Sequence, residues 1–350
     1  MLVLRLNFKL MKNLFLHSFV ILSLFSCSKG QSDIVNLYTQ RHYKVDEIQY
    51  ENFTKLTGIK VNVVKSNADQ LIERLKNEAE NSPADIFISV DAGKLQKASS
   101  LELVQKLPPE IEMTNIPKLF QDINGLWAPI TYRSRILVYS NDRVDKNELD
   151  TYESLADEKW KNRILVRSSS NAYNQALMAS IVANNGVEAA EQWSTGIVNN
   201  LARNPKGNDR DQVKAIYSGV GDVAIVNSYY IGLLLSSDKE EERKAGESVS
   251  VFFPNQGDEQ RGTHINVSGV AIAKHSPNKR NAIKLINYLM SEEAQKTYVN
   301  NSYEYPVHNK VKPDDIVSNW GKFKIDTLDL NALGKFREDA INIFEKTAWN

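Results

Sequence analysis

The sequence predicts an α/β protein built as two doubly wound lobes joined by two crossing segments. Short apolar runs alternate with amphipathic helical stretches over residues 33–99 and again over 163–228. That is the pattern of a mainly parallel sheet covered by helices. Two long extended stretches, 126–140 and 261–275, separate these patterns and read as the segments that carry the chain across and back. The length, 350 residues, exceeds what one compact core accommodates and suits two lobes. Lobe 1 is expected over 31–130 plus 270–350, and lobe 2 over 131–269.

The elements follow in order. "DIVNLYT" (33–39) is a strand ending at a polar turn with Arg41, His42 and Tyr43. Ile48, Phe53 and Leu56 recur at helical spacing from Val45 to Thr57, and Gly58 stops that helix. "IKVNVVK" (59–65) alternates as a strand, and 68–81 is an amphipathic helix with Leu71, Ile72 and Leu75 on one face. A strand at 84–90 and a helix near 91–99 complete the first pattern. The second holds a strand at 163–168, helices near 172–184, 187–199 and 208–218, and a strand at 222–228. Residues 278–300 and 328–347 read as helices, and the charged run 237–246 as a solvated helix end. Ligands of such sheets sit at the carboxyl ends of strands. Tyr43 follows the first strand there and Asp91 the third; Asp91 and Asp46 read as helix caps.

The N-terminus departs from this globular composition. Leu14 to Phe25 is a stretch of 12 residues, against about 20 for a membrane-spanning helix. Residues 1–26 therefore read as a signal peptide. Cys27, the only cysteine, follows Leu-Phe-Ser, and the arrangement resembles a bacterial lipoprotein signal whose cysteine becomes acylated. A plain secretory signal with an incidental cysteine is the alternative. A second methionine, Met11, leaves the true start open. The mature protein is expected outside the cytoplasm, tethered to a membrane through lipidated Cys27. Charge is balanced, 43 basic against 43 acidic side chains, which argues against nucleic acid as a partner.

Tyr229 and Tyr230 stand side by side at the end of the apolar run "GDVAIVNSYYIG", while Tyr43 ("RHYKVD") and Tyr173 ("RSSSNAYNQAL") occupy similarly polar settings. Tyrosines commonly bury the ring and expose the hydroxyl, so one of the pair in the core and the other at the surface is the plain alternative. Four phenolic oxygens converging beside His42 suit a hard, highly charged cation, with Fe(III) the leading candidate. A bound metal lowers the pKa of its ligands, so phenolates form near neutral pH with release of protons. Reduction and acid are both expected to weaken binding.

The ordered pieces "NLYTQRHY", "SPADIFISVDAGKL", "RSSSNAYNQAL", "LARNPKGNDRDQVKAI", "GVGDVAIVNSYYIG" and "NVSGVAIAKHSPN" resemble the extracytoplasmic ferric-iron-binding proteins of ABC importers. The resemblance spans essentially the whole mature chain and implies the bilobed, class II-like periplasmic-binding-protein fold. It implies Tyr43, Tyr173, Tyr229 and Tyr230 as metal ligands, with His42 matching a histidine of one branch. It also implies that carbonate or another synergistic anion completes the iron shell in other branches, held by an arginine for which Arg133 is the counterpart. The partners it implies are the permease and ATPase of an importer, served by a monomer.

Other functions remain open from sequence. A binding protein for an anion such as sulfate would use helix N-termini and backbone amides, and one for a polyamine would use carboxylates and aromatic faces. A ligand-sensing subunit is a third possibility. An enzyme is not expected: there is no GxSxG, phosphate-binding glycine loop, HExxH or Ser-His-Asp arrangement in the chain. His264, His275 and His308 share no ligand spacing and read as structural or exposed. Residues 206–211 read as a loop that caps the helix after it.

Overall fold

A computed structural model describes residues 33–350; the expected leader and Cys27 lie outside the described residues. The first part of the chain runs β1 (Ile34–Thr39), α1 (Lys44–Thr57), β2 (Lys60–Lys65), α2 (Ala68–Glu78), β3 (Ile86–Ser89), α3 (Ala92–Ser100) and β4 (Ala128–Ser140). Then come β5 (Ile164–Leu165), α4 (Ala172–Asn185), α5 (Val187–Asn199), α6 (Asp209–Tyr217), β6 (Val223–Asn227), α7 (Tyr229–Leu235), α8 (Glu240–Glu247) and β7 (Val249–Phe252). The chain closes with β8 (Ile265–Ile272), α9 (Lys279–Met290), α10 (Glu292–Ser302), β9 (Tyr305–Pro306), α11 (Asp315–Ser318), α12 (Ala332–Lys335) and α13 (Arg337–Thr347).

The strands lie in the order β2-β1-β3-β8-β4-β6-β5, with β7 and β9 also paired to β4. β1 pairs in parallel with β2 and β3, and β5 with β6. The middle is antiparallel: β8 lies between β3 and β4, and β4 pairs with β6 and β7. The sheet is therefore mixed rather than mainly parallel, because both crossing stretches enter it as strands. β4 makes the crossing within its own length: Ala128–Ser134 pairs with β8, and Arg135–Tyr139 pairs with β6.

Three apolar clusters follow from this topology. The first joins Leu37, Phe53, Ile72, Phe87, Val270 and Leu285 around β1, β3 and β8. Beyond the crossing, alternation along β4 sends Leu137 and Tyr139 into a second cluster with Trp160, Trp193 and Ile225. It sends Ile136 and Val138 into a third with Val213, Val226 and Leu234. The sheet of this half is thus covered on both faces. The last helix departs from the expected grouping of 270–350 with the first lobe. Ala340, Ile343 and Phe344 of α13 belong to the second cluster, where their apolar face packs against α4 and α5.

Several boundaries also differ. Ser291 divides the helix expected over 278–300, because its hydroxyl accepts from the Ala294 N–H and caps a new helix. Phe336 likewise separates α12 from α13. The charged run 237–246 supplies a helix of its own over Glu240–Glu247, and the strand expected at 163–168 shrinks to Ile164–Leu165.

Candidate metal centre

Each candidate tyrosine stands at the start of a helix. Tyr43 is the residue before α1, and its N–H donates to Asp46 Oδ2 at 3.0 Å. Arg41 Nε holds the other oxygen of Asp46 at 2.6 Å, so the turn after β1 is pinned by a buried ion pair. Tyr173 is the second residue of α4, its N–H donated to the capping Asn171 side chain at 3.0 Å. Tyr229 and Tyr230 open α7, immediately after β6 and Ser228. The sequence places them at a strand end; the strand stops two residues earlier and the pair turns into the helix.

The hydroxyls meet. Tyr43 Oη donates to Tyr229 Oη at 3.1 Å, and the Tyr173 and Tyr229 hydroxyls are 3.3 Å apart. The Tyr229 and Tyr230 rings lie 4.2 Å apart, and Tyr43 meets Tyr229 edge-on at 6.1 Å. His42 stacks on Tyr43 at 4.8 Å but is exposed, with Nδ1 3.4 Å from the Gln40 carbonyl. Its ring nitrogens contact none of the four hydroxyls among the described residues. His42, Tyr43 and Tyr173 border a cavity of 380 Å³ together with Gln40, Lys65 and Asn67.

These phenols hold their protons firmly. Burial, then the neighbouring Tyr173, pushes Tyr43 up to about 12. Burial and the other tyrosines push Tyr229 well above the ordinary phenol range and raise Tyr230 as well. A group of acidic oxygens that repel one another when ionised is a site that a multivalent cation would relieve.

Guanidinium groups surround this cluster. Arg133, Arg135 and Arg167 lie 5.6, 6.0 and 5.4 Å from the centre of the Tyr173 ring, Arg210 lies 6.0 Å from that of Tyr230, and Arg41 lies 5.9 Å from that of Tyr43. Asp209, fully buried, binds Arg135 at 2.8 Å and Arg167 at 3.0 Å. Arg133 is 2 % exposed, and its two terminal nitrogens meet no acceptor. It shares a small cavity with Arg135, Tyr173, Asn227, His264 and Asn266.

Arg135, Arg167, Arg210 and Asp209 are absent from the sequence-derived set. One signal was available: Arg133 and Arg135, two apart on an otherwise apolar strand, must share a face. Asp91 is the cap of α3, accepting from the Lys94 N–H, whereas Asp46 is not the cap expected: Tyr43 holds that position, and Asp46 sits inside α1 and reaches back to the Tyr43 N–H. Among the described residues no group of three His, Cys, Asp or Glu side chains forms a metal site, a count that leaves tyrosine aside.

Residues 49–325 match the family model of the bacterial extracellular solute-binding proteins. Iron uptake protein A1 of Synechocystis is 44% identical over 320 residues, 91% of this chain and 88% of that protein. The Trichodesmium protein solved in complex with iron and citrate ligands superposes with a TM-score of 0.86 at 42% identity, covering 91% of this chain and 100% of that one. The ferric binding protein from Campylobacter jejuni follows at 0.85 and 38% identity, covering 90% and 100%. The mixed α/β architecture described above is that of this bilobed fold. The chain belongs to the bacterial extracellular solute-binding protein family, in the branch that holds the ferric-iron-binding proteins.

Proposed function

We propose that this protein captures Fe(III) outside the cytoplasm, between its two lobes, and delivers it to the permease and ATPase of an ABC importer. The observation that carries the reading is the convergence of the Tyr43 and Tyr173 hydroxyls on that of Tyr229, at 3.1 and 3.3 Å, with the Tyr230 ring tilted against Tyr229 at 4.2 Å. These oxygens come from both sides of the β4 crossing: Tyr43 packs on the first cluster, while α7 carries Ile231 and Leu234 into the third. Metal capture would thus be coupled to lobe closure, and closure is a form an importer could recognise. The lobes would hinge where β4 and β8 pass between them, with α13 returning to the second lobe.

Four phenolates would match and exceed the charge of Fe(III), and overcompensate that of Fe(II). Arg133 would hold a synergistic anion such as carbonate or a small carboxylate, since a buried cation without an acceptor calls for one. His42 would join the shell only by swinging its exposed ring inward. A lipidated Cys27 would tether the mature monomer to a membrane.

The test is optical. The purified protein, loaded with ferric citrate and desalted, is expected to be reddish from phenolate-to-Fe(III) charge transfer. The band should vanish in a variant combining Tyr229→Phe and Tyr230→Phe. A colourless wild type that keeps no metal through the column would overturn the assignment.

A further inference from the structure

We propose that a second ligand site lies behind the crossing strand β4, and that it takes a small aromatic carboxylate. Side chains alternate along a strand, so Tyr132 points away from the face on which Arg133 reaches Tyr173. On Tyr132's side lies a cavity of 490 Å³ lined by Tyr132, Tyr305, Phe323, Ile325, Lys312 and Lys322. It is separate from the phenol cluster, and nothing in the iron-binding reading uses it.

The walls select the ligand. Tyr132 and Tyr305 stack at 4.9 Å, and Phe323 meets Tyr305 edge-on at 5.6 Å. Tyr132 is stacked on both faces, by Phe120 and by Tyr305, so the row offers ring edges, and such edges favour the π-face of a flat, apolar ring. Lys312 and Lys322 are exposed and make no ion pair among the described residues, and no carboxylate lines the cavity. Asp314, next along the chain, spends one oxygen on the Ile316 N–H as a helix cap. The charge complement of aromatic walls with two free ammonium groups is an aromatic anion. A neutral ring leaves the lysines unused, and an aliphatic acid offers the ring edges no π-face.

The position gives the site a consequence. Phe120 stacks on Tyr132 at 4.5 Å, and Phe253 stacks on Phe323 at 4.2 Å. The row of rings therefore starts in the first apolar cluster, which includes Phe120, and ends in the third, which includes Phe253. An occupant bearing on Tyr132, Tyr305 and Phe323 touches the joint between the two halves. It would favour one setting of that joint over another, and its affinity would be coupled reciprocally to that of the metal site.

The experiment is calorimetric titration of the purified iron-free protein with 2-naphthoate, with neutral 2-naphthylmethanol and aliphatic hexanoate as controls. The expected result is saturable binding of naphthoate at one site, with both controls weaker by about tenfold or more. Lys312→Ala combined with Lys322→Ala should weaken naphthoate by about tenfold, whereas Lys60→Ala combined with Lys76→Ala, exposed lysines away from the cavity, should leave it unchanged. Lys312 and Lys322 are exposed too, so each double variant keeps the fold, and its melting curve checks this. No saturable binding, equal binding of the alcohol, or binding indifferent to the lysines overturns the site. Repeating the titration on ferric-loaded protein tests the coupling, which equal affinity for the two forms would overturn.

Discussion

The hydroxyl of Tyr43 donates to the hydroxyl of Tyr229 across 3.1 Å, though 186 residues separate them in the chain. Tyr229 also faces the Tyr173 hydroxyl at 3.3 Å, so it is the common neighbour of the phenol cluster. Tyr229→Phe is therefore expected to cost the most of any single phenol change. Two neutral hydrogen bonds are lost, at about 1 kcal/mol each, a modest loss to the fold. Ferric affinity should fall by more than the 10- to 100-fold typical of outer-shell changes. Competition with citrate, read by visible absorbance, measures the affinity; urea unfolding measures the fold.

Proton release should accompany ferric loading. Tyr43 stands near 12 when metal-free, and Tyr229 and Tyr230 are also raised, all chiefly by burial. Near neutral pH these groups are protonated before metal arrives and, as ligands, would become phenolates. Apparent affinity should thus rise with pH, by about one decade per pH unit for each phenolate formed. Loading in a weakly buffered indicator dye should acidify the solution. Absence of released protons would rule out these phenols as ligands.

Asp209 sets the electrostatics behind Tyr173. Its carboxylate is fully buried between Arg135 and Arg167, and Asp209→Ala removes the counter-charge of both, leaving Arg135 only the amide oxygens of Asn174 and Asn227. Breaking a buried pair typically costs about 3–5 kcal/mol. The variant should unfold at markedly lower urea, and Asp209→Asn, which keeps an acceptor, should fall between it and wild type. If Asp209→Ala matches wild type in urea, the ion pairs carry no weight in the fold.

Most of the strand and helix order was legible in the chain, because apolar spacing in runs such as Leu71-Ile72-Leu75 reports which face is buried. The tyrosine set was legible chiefly through the family resemblance: a phenolic oxygen needs a polar partner wherever its ring is buried, which singles out Tyr229 and Tyr230, but Tyr43 and Tyr173 taken alone read as ordinary residues at helix starts. Three things were hidden. The antiparallel centre depends on strand partners that spacing along one strand does not encode. The break at Ser291 is a single cap inside a continuous helical pattern. The guanidinium shell escaped because Asp209 and Arg210 lie in a stretch whose capping Asn208 accounts for its polar residues equally well.

Gly232 ties the tyrosine pair to the far lobe. It sits three residues into the helix that Tyr229 begins, and a Cβ there would clash with the Tyr303 ring. Tyr303 itself is held in the left-handed region, φ 58°, where it ends α10, so it has little room to retreat. Gly232→Ala should cost about 1–3 kcal/mol through overpacking and shift the start of α7. Reduced ferric affinity together with a lowered urea midpoint is the expected outcome. An unchanged affinity would show that α7 accommodates the methyl group without moving the pair.

His264 should give the iron-free protein a distinctive acid sensitivity. Burial, reinforced by Arg133, Arg135 and Arg261, lowers its pKa from 6.5 to about 3. The unfolded chain takes up this proton near 6.5, and the folded protein only near 3. Between these values the unfolded state carries more protons, so stability increases with pH there and is complete above the upper one. As pH falls through that window, this residue alone removes up to about 1.4 kcal/mol per unit. Carboxylates titrate in the same range, so the measurement is a difference: urea midpoints of wild type and His264→Asn followed from neutral into mild acid. The variant should lose less stability than wild type, first visibly just below pH 6.5, and parallel curves would mean that the imidazole finds a way to charge without unfolding.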